Sequence, residues 1–349
     1  MATDDPLSSL GPLTSFDEVR ALVRALPGPD DEAQAKARAR EATLTKPAGA
    51  LGRLEALTEW LCAWQGRHPP SLDHPRVSVF AGNHGVAARG VSAYPAEVTA
   101  QMVANFIAGG AAVNQLCRVM EADFKVYEMA LEEPTRDFTE APAMDEATCV
   151  RAMAYGMMTV EAGIDVLCLG EMGIGNTTAA AAMSLALFGG EAADWVGPGT
   201  GVSGEVLARK TEVVAAGVKR HADALIDPLA AMRCLGGQEL AAIAGAIIAA
   251  RLAQTPVLLD GYAASAAAAV LHQLDPGLLD HCQAAHRSAE PGHGRLLDAI
   301  GKRPILELDM RLGEATGAVL ALGVLKGAVA CHTGMASFDS AKVSGKRDD

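Results

Sequence analysis

The chain has 349 residues, 50% of them apolar and only 4% aromatic, with a formal net charge of −13 at pH 7. This length buries one large core, or a large and a small one. The charge argues against nucleic acid or an anionic membrane as partner, because no basic face offsets such a field, so any anionic ligand must be held locally.

Residues 1–70 read as helical. Segments 17–26 and 31–44 carry mixed charge, and 51–64 spaces Leu54, Leu57, Leu61 and Trp64 at helical intervals. That face is read as core or subunit contact. After the HPPSLDHP linker, strands are predicted over 76–81, 125–129, 166–170, 257–260 and 305–308, with helices over 96–106, 179–187, 205–219 and 238–251 between them. Such alternation predicts an α/β fold, a parallel sheet covered by helices on both faces, with ligands at the carboxyl ends of the strands. Abundant alanine and glycine predict close helix packing.

Seven scattered cysteines without a CxxC spacing support neither a disulfide framework nor a metal site. The N-terminal stretch lacks the basic and apolar regions of a secretory signal. The apolar runs 240–250 and 316–325 end at Arg251 and Lys326, short of the roughly 18–20 residues that span a bilayer. A soluble cytoplasmic protein is expected.

Four junctions carry the chemistry. In the first, the strand DVLCLG runs into Glu171-Met-Gly-Ile-Gly-Asn-Thr-Thr178 and a helix. Gly173 and Gly175 let backbone amides approach a ligand, and Asn176 or Thr177 is placed to cap the helix, an arrangement that suits a phosphate. The loop ends without the Gly-Lys-Ser/Thr of a P-loop and is not GxGxxG, so it is compatible with phosphate without being diagnostic. The second is GPGTG (197–201), a nest of N–H groups followed by Lys210, which is either an anion's counter-charge or a solvated surface lysine. The third is PVLLD followed by GYAAS (261–265).

The fourth, LELDMRLGEATGAVL (306–320), sets Glu314 at the mouth of an oily, glycine-rich segment. Desolvation there raises a carboxylate's proton affinity toward neutrality, as a general base requires. The alternative is an acid facing the positive end of the following helix dipole.

Several long segments together resemble the nicotinate-nucleotide:dimethylbenzimidazole phosphoribosyltransferase family. They are LTKPAGALGRLE (44–55), GNHGVAARGVSAYPAEVTAQMVANFIAGGAAVN (82–114), GEMGIGNTT (170–178), GPGTG with LARK (197–210), LDGYAASAAA (259–268), HRSAEPGH (286–293) and LDMRLGEATGA (308–318). They occur in family order across nearly the whole chain. The resemblance implies transfer of the ribosyl phosphate of nicotinate mononucleotide to 5,6-dimethylbenzimidazole, giving α-ribazole 5′-phosphate and nicotinate, in cobalamin assembly. No cofactor is implied. The departing pyridinium already carries positive charge, so its loss needs neither an acid nor a metal.

By the same resemblance Glu314 is the base and Glu171 a second carboxylate that assists or orients it. Gly173, Gly199, Thr200, Gly201, Lys210 and Gly261 are expected around phosphate and ribose. Gln101, Phe80, Ser288, Met310 and Leu312 are expected around the aromatic base, with Ser78 a further candidate; Tyr94 is left between slot and packing, and Met102 is read as packing. His84 and His293 are read as bonding loop backbone rather than as acid and base. Arg311 is left between a nicotinate carboxylate and Asp309. The family architecture is a Rossmann-like, doubly wound domain (71–317) with a small helical domain from both chain ends (1–70 with 318–349), paired as a homodimer. Two other readings share these residues: an N-glycosidic hydrolase of the same nucleotide, and a non-catalytic nucleotide or base sensor.

Overall fold

A computed structural model describes residues 13–345. The stretch 1–12, which carries most of the segment read as lacking a secretory signal, and residues 346–349 of the polar tail lie outside it. Three helices open the described chain: α1 (Phe16–Arg24), α2 (Asp31–Thr43) and α3 (Arg53–Gln65). Next come β1 (Pro75–Ala81), α4 (Glu97–Ile107), α5 (Ala112–Met120), β2 (Asp123–Glu128), α6 (Glu146–Met158), β3 (Val166–Met172) and α7 (Asn176–Phe188). The middle of the chain holds α8 (Ala192–Trp195), α9 (Gly204–His221), α10 (Pro228–Leu235), α11 (Gln238–Leu252), β4 (Val257–Leu259) and α12 (Tyr262–Leu274). Last are β5 (Cys282–Ala284), β6 (His286–Arg287), α13 (Pro291–Ala299), β7 (Leu306–Glu307), α14 (Thr316–Gly334) and α15 (Phe338–Ala341).

Strands β1 to β5 form one sheet in the order β2-β1-β3-β4-β5, with every neighbouring pair parallel. Alternate strand residues enter two different cores, as the period of two requires. Phe80, Leu167, Leu169 and Leu259 meet α6, α7, α11 and α12, whereas Val77, Val79, Cys168 and Leu258 meet α3, α5 and α14. The sheet is thus covered on both faces, as expected, and α11 crosses α6 closely at Gly156 and Gly245. The strand order reverses at β1, so a crevice opens beyond the carboxyl ends of β1 and β3, where Phe80 pairs with Glu171.

Two expectations are corrected. The short strands β5 and β6 fall outside the predicted set, because two or three residues leave no periodicity to read. The apolar run at 316 does not stop at Lys326 but continues to Gly334. These 19 residues are long and apolar enough to cross a membrane, yet Ala318, Val319, Leu322 and Leu325 are buried in the second core. The apolar face of α3 is core, one of the two readings given for it, since Leu57, Trp60, Leu61 and Trp64 pack in that same core. The end of α2 and the segment after α14 are in contact: Arg40 donates to the carbonyl of Met335 at 2.6 Å, and Thr45 N–H donates to the carbonyl of Ala336 at 3.1 Å.

Candidate active site

Helices α7, α12 and α14 begin around one cavity of about 490 Å³, a volume suited to a small ligand. Their N-cap residues are Gly175, Gly261 and Ala315, and none of these supplies a capping side chain. At α7 and α12 first-turn N–H groups without side-chain caps therefore stand beside the cavity, with the positive ends of two helix dipoles behind them, whereas the first turn of α14 is occupied by Asp260, which accepts from Ala318 N–H. Asn176 is not the cap expected of it. Its amide instead donates to the carboxylate of Glu171.

Glu314 lies in the cavity wall and is only 5% exposed. Burial, followed by the negative charge of Asp260, pushes its pKa up to about 7. Glu171, half-buried at the end of β3, lines the same wall. Desolvation first, then Asp260, Glu239 and Glu314, raise it to about 8 against the pull of Asn176. Asp260, just past β4, is buried and raised by desolvation, but it is kept from going further by His286 and by backbone N–H groups of α14. Its Oδ1 accepts from Ala318 N–H at 2.9 Å. Three carboxylates from three different elements thus converge, two of them poised near neutral pH.

The glycine loops form the adjoining wall. Gly173, Gly199, Thr200 and Gly261 line the cavity. Gly201 does not: it stands at the exposed end of the GPGTG loop at φ +109. Lys210 is buried behind the loop, its Nζ donating to Thr177 Oγ1 at 2.9 Å and to the Gly197 carbonyl at 3.0 Å, and desolvation lowers it to about 8. Neither sequence alternative described that position. Tyr94, Val98, Met102 and Leu312 give the same lining an apolar slot.

A family model described as phosphoribosyltransferase matches residues 26–343. The nicotinate-nucleotide–dimethylbenzimidazole phosphoribosyltransferases of Brucella anthropi and Brucella canis are each 56% identical over 332 residues, 95% of this chain and 98% of each relative. This chain belongs to that family. A crystal structure of nicotinate-nucleotide-dimethylbenzimidazole phosphoribosyltransferase from Thermus thermophilus superposes with a TM-score of 0.83 at 41% identity, over 91% of this chain and 100% of that one. A second, of CobT from the same organism, gives a TM-score of 0.81 over 90% and 99%.

Among the family residues expected at the acceptor slot, Ser288 and Leu312 do line the cavity. Phe80 does not: it is wholly buried in the core and stacks on Tyr127, with 5.2 Å between ring centroids. Ser78, on the same strand, is also fully buried away from the cavity. Gln101 is exposed on α4, and the cavity takes Val98 and Met102 from that helix instead. Met310 is outside the lining as well, contributing only its carbonyl, which accepts from Ala289 N–H at 2.9 Å. Arg311 lines the cavity and donates to the Gly199 carbonyl at 2.8 Å, and among the described residues it forms no ion pair with Asp309.

His293 behaves as expected. Its Nδ1 accepts from the backbone N–H of Ser288 at 2.8 Å, which leaves Nε2–H for Ser265 Oγ at 3.0 Å, and burial pushes its pKa down to about 3. His84 does not bond loop backbone. Its Nε2 pairs with the buried carboxylate of Glu239 at 2.6 Å, beneath the Gly173 loop. Sequence reasoning missed Asp260 and His286, as well as Val98 and Glu290 of the lining. For Asp260 and His286 the one available signal was a charged or titratable residue ending each of two apolar strand segments, PVLLD and AAH.

Proposed function

We propose that this chain transfers the ribosyl 5′-phosphate of nicotinate mononucleotide to 5,6-dimethylbenzimidazole, with Glu314 as the general base. The observation that carries this is a buried carboxylate on the cavity wall, raised to about 7 and placed beside a second raised carboxylate, Glu171. One benzimidazole nitrogen forms the new bond to C1′, while the C1′–N bond to the pyridinium breaks and its electron pair stays on the departing ring. Nicotinate therefore leaves neutral at that nitrogen. The proton on the acceptor's other nitrogen passes to Glu314, a transfer worth roughly 10²–10⁴ in rate. Positive charge developing at C1′ is stabilised electrostatically by the buried Asp260.

In this reading the phosphate occupies the Gly173, Gly199, Thr200 and Gly261 side, where helix starts supply N–H groups, and Lys210 holds the loop from behind. The acceptor ring takes the apolar slot, with Met102 and Tyr94 as wall rather than plain packing. The same reading divides the chain into a large unit (71–317) and a small helical unit from both ends, pairs two copies as a homodimer and places them in the cytoplasm. Exposed Ile107 and Val119 supply apolar surface for pairing, and the seven cysteines, all free, suit a reducing compartment.

Incubation of the protein with nicotinate mononucleotide and dimethylbenzimidazole should release nicotinate and α-ribazole 5′-phosphate in equal amounts. Nucleotide alone should release almost none, whereas a hydrolase would yield free ribose phosphate without the acceptor.

A further inference from the structure

His286 is a cavity residue to which the transfer mechanism gives no role. Its side chain is buried, 1% exposed, yet forms part of the cavity wall. Among the described residues neither Nδ1 nor Nε2 has a hydrogen-bond partner. Nε2 faces Asp260 Oδ1 at 3.7 Å, beyond hydrogen-bond reach, and that oxygen already accepts from Ala318. The ring cannot swing away to find partners. It lies flush against Gly317, where any Cβ would overlap it, and edge-on to His293 at 6.3 Å between centroids, itself fixed by Ser288 and Ser265. A buried polar group left without a partner forfeits its hydration with nothing in return, so a ligand group that meets this ring gives its placement a physical reason.

The surroundings select which group. Asp260 faces the ring, Glu171 and Glu314 line the same wall, and protonation of the ring would be offset by Asp260, so the place offers an anion no net positive charge. That disfavours both the phosphate and a nicotinate carboxylate. The aromatic acceptor is provided for by the apolar slot. What remains of the nucleotide is its sugar, whose hydroxyls donate and accept, matching an imidazole with one donor and one acceptor nitrogen.

We propose that His286 holds a ribose hydroxyl of the nucleotide substrate and so positions C1′ between the departing and incoming rings. This rests on the transfer reading above. The test compares wild type and His286→Leu on nicotinate mononucleotide and on its 2′-deoxy and 3′-deoxy analogues. On the full ribosyl substrate kcat/KM should fall about 10- to 100-fold, the equivalent of one unmet buried group, while the KM for dimethylbenzimidazole stays unchanged. On one deoxy analogue the same substitution should cost less than about 3-fold, because the hydroxyl it serves is already missing. An equal loss on all three nucleotides would overturn the inference. Where the leucine variant lacks a cooperative melt, His286→Gln is read in the same comparison with the same two outcomes. Wild type failing to transfer at all would instead overturn the transfer reading.

Discussion

The backbone N–H of Glu314 donates to the backbone carbonyl of Glu171 at 3.2 Å, tying the turn before α14 to the end of β3. Both carboxylates are therefore placed by one backbone contact rather than by side-chain rotamers alone. The turn that makes it is unusual: Gly313, Glu314 and Ala315 all have left-handed φ, at +81, +61 and +60. Only glycine adopts this region freely, and the other two cost about 1–2 kcal/mol each. Such a turn persists only where the contacts around it over-determine it, and those contacts hold the base in place.

Gly313→Ala tests the contact. A Cβ there would come within 2.6 Å of Glu171 Oε1, at a φ that disfavours any side chain. The variant should lose at least about 10-fold in kcat and about 1–3 kcal/mol in stability, read by steady-state kinetics and urea unfolding. Unchanged kcat would mean that the turn does not place the carboxylates.

Stability should fall as pH rises toward neutral, and Glu314 should account for part of that fall. Its folded pKa is raised from 4.5 to about 7, so the folded protein binds this proton more tightly than the unfolded chain does. The contribution is complete below pH 4.5 and is lost as pH climbs through 7. Glu314→Gln should flatten this part of the profile and be more stable than wild type at pH 8 by roughly 1–3 kcal/mol. Parallel unfolding profiles for the two proteins would contradict the assignment.

Lys210→Met should act on one substrate only. The ammonium bonds Thr177 and Gly197, fixing the loop assigned to the phosphate side. The variant should raise the KM for nicotinate mononucleotide about 10-fold or more and leave that for dimethylbenzimidazole within about 2-fold. It should also melt earlier, since a buried hydroxyl and carbonyl lose their donor at about 1–3 kcal/mol. A nucleotide KM equal to that of wild type would remove Lys210 from this role.

What the sequence made legible follows from what is local. Strands β1, β3 and β4 are largely apolar runs bounded by turns, β2 alternates Phe124 and Val126 with charged residues, and Glu171, Gly173, Gly261 and Glu314 stand at strand ends or helix starts, where the parallel sheet gathers them. Facing is not local. On β1 both faces are buried, so nothing in PRVSVFA tells that Phe80 enters the core under α11 rather than the cavity. Which face α4 turns inward is set by tertiary packing, and Val98 and Met102 stand where Gln101 was expected. Asp260 and Ala318 meet across 58 residues, and His286 joins them through a two-residue strand, so no window of sequence contains that cluster. Lys210 was legible as a charge but not as a buried one, because α9 otherwise reads as an exposed helix.

The pH dependence of the transfer rate in wild type and Glu314→Gln tests the central claim most directly. With saturating nucleotide and acceptor, the wild-type rate should rise with pH through an apparent pKa near 7, as Glu314 loses its proton and becomes able to take one. The glutamine variant should be slower by roughly 10²–10⁴-fold and lack that rise, while still binding nicotinate mononucleotide. A glutamine variant that transfers within about 3-fold of wild type, on the same pH profile, would contradict Glu314 as the base.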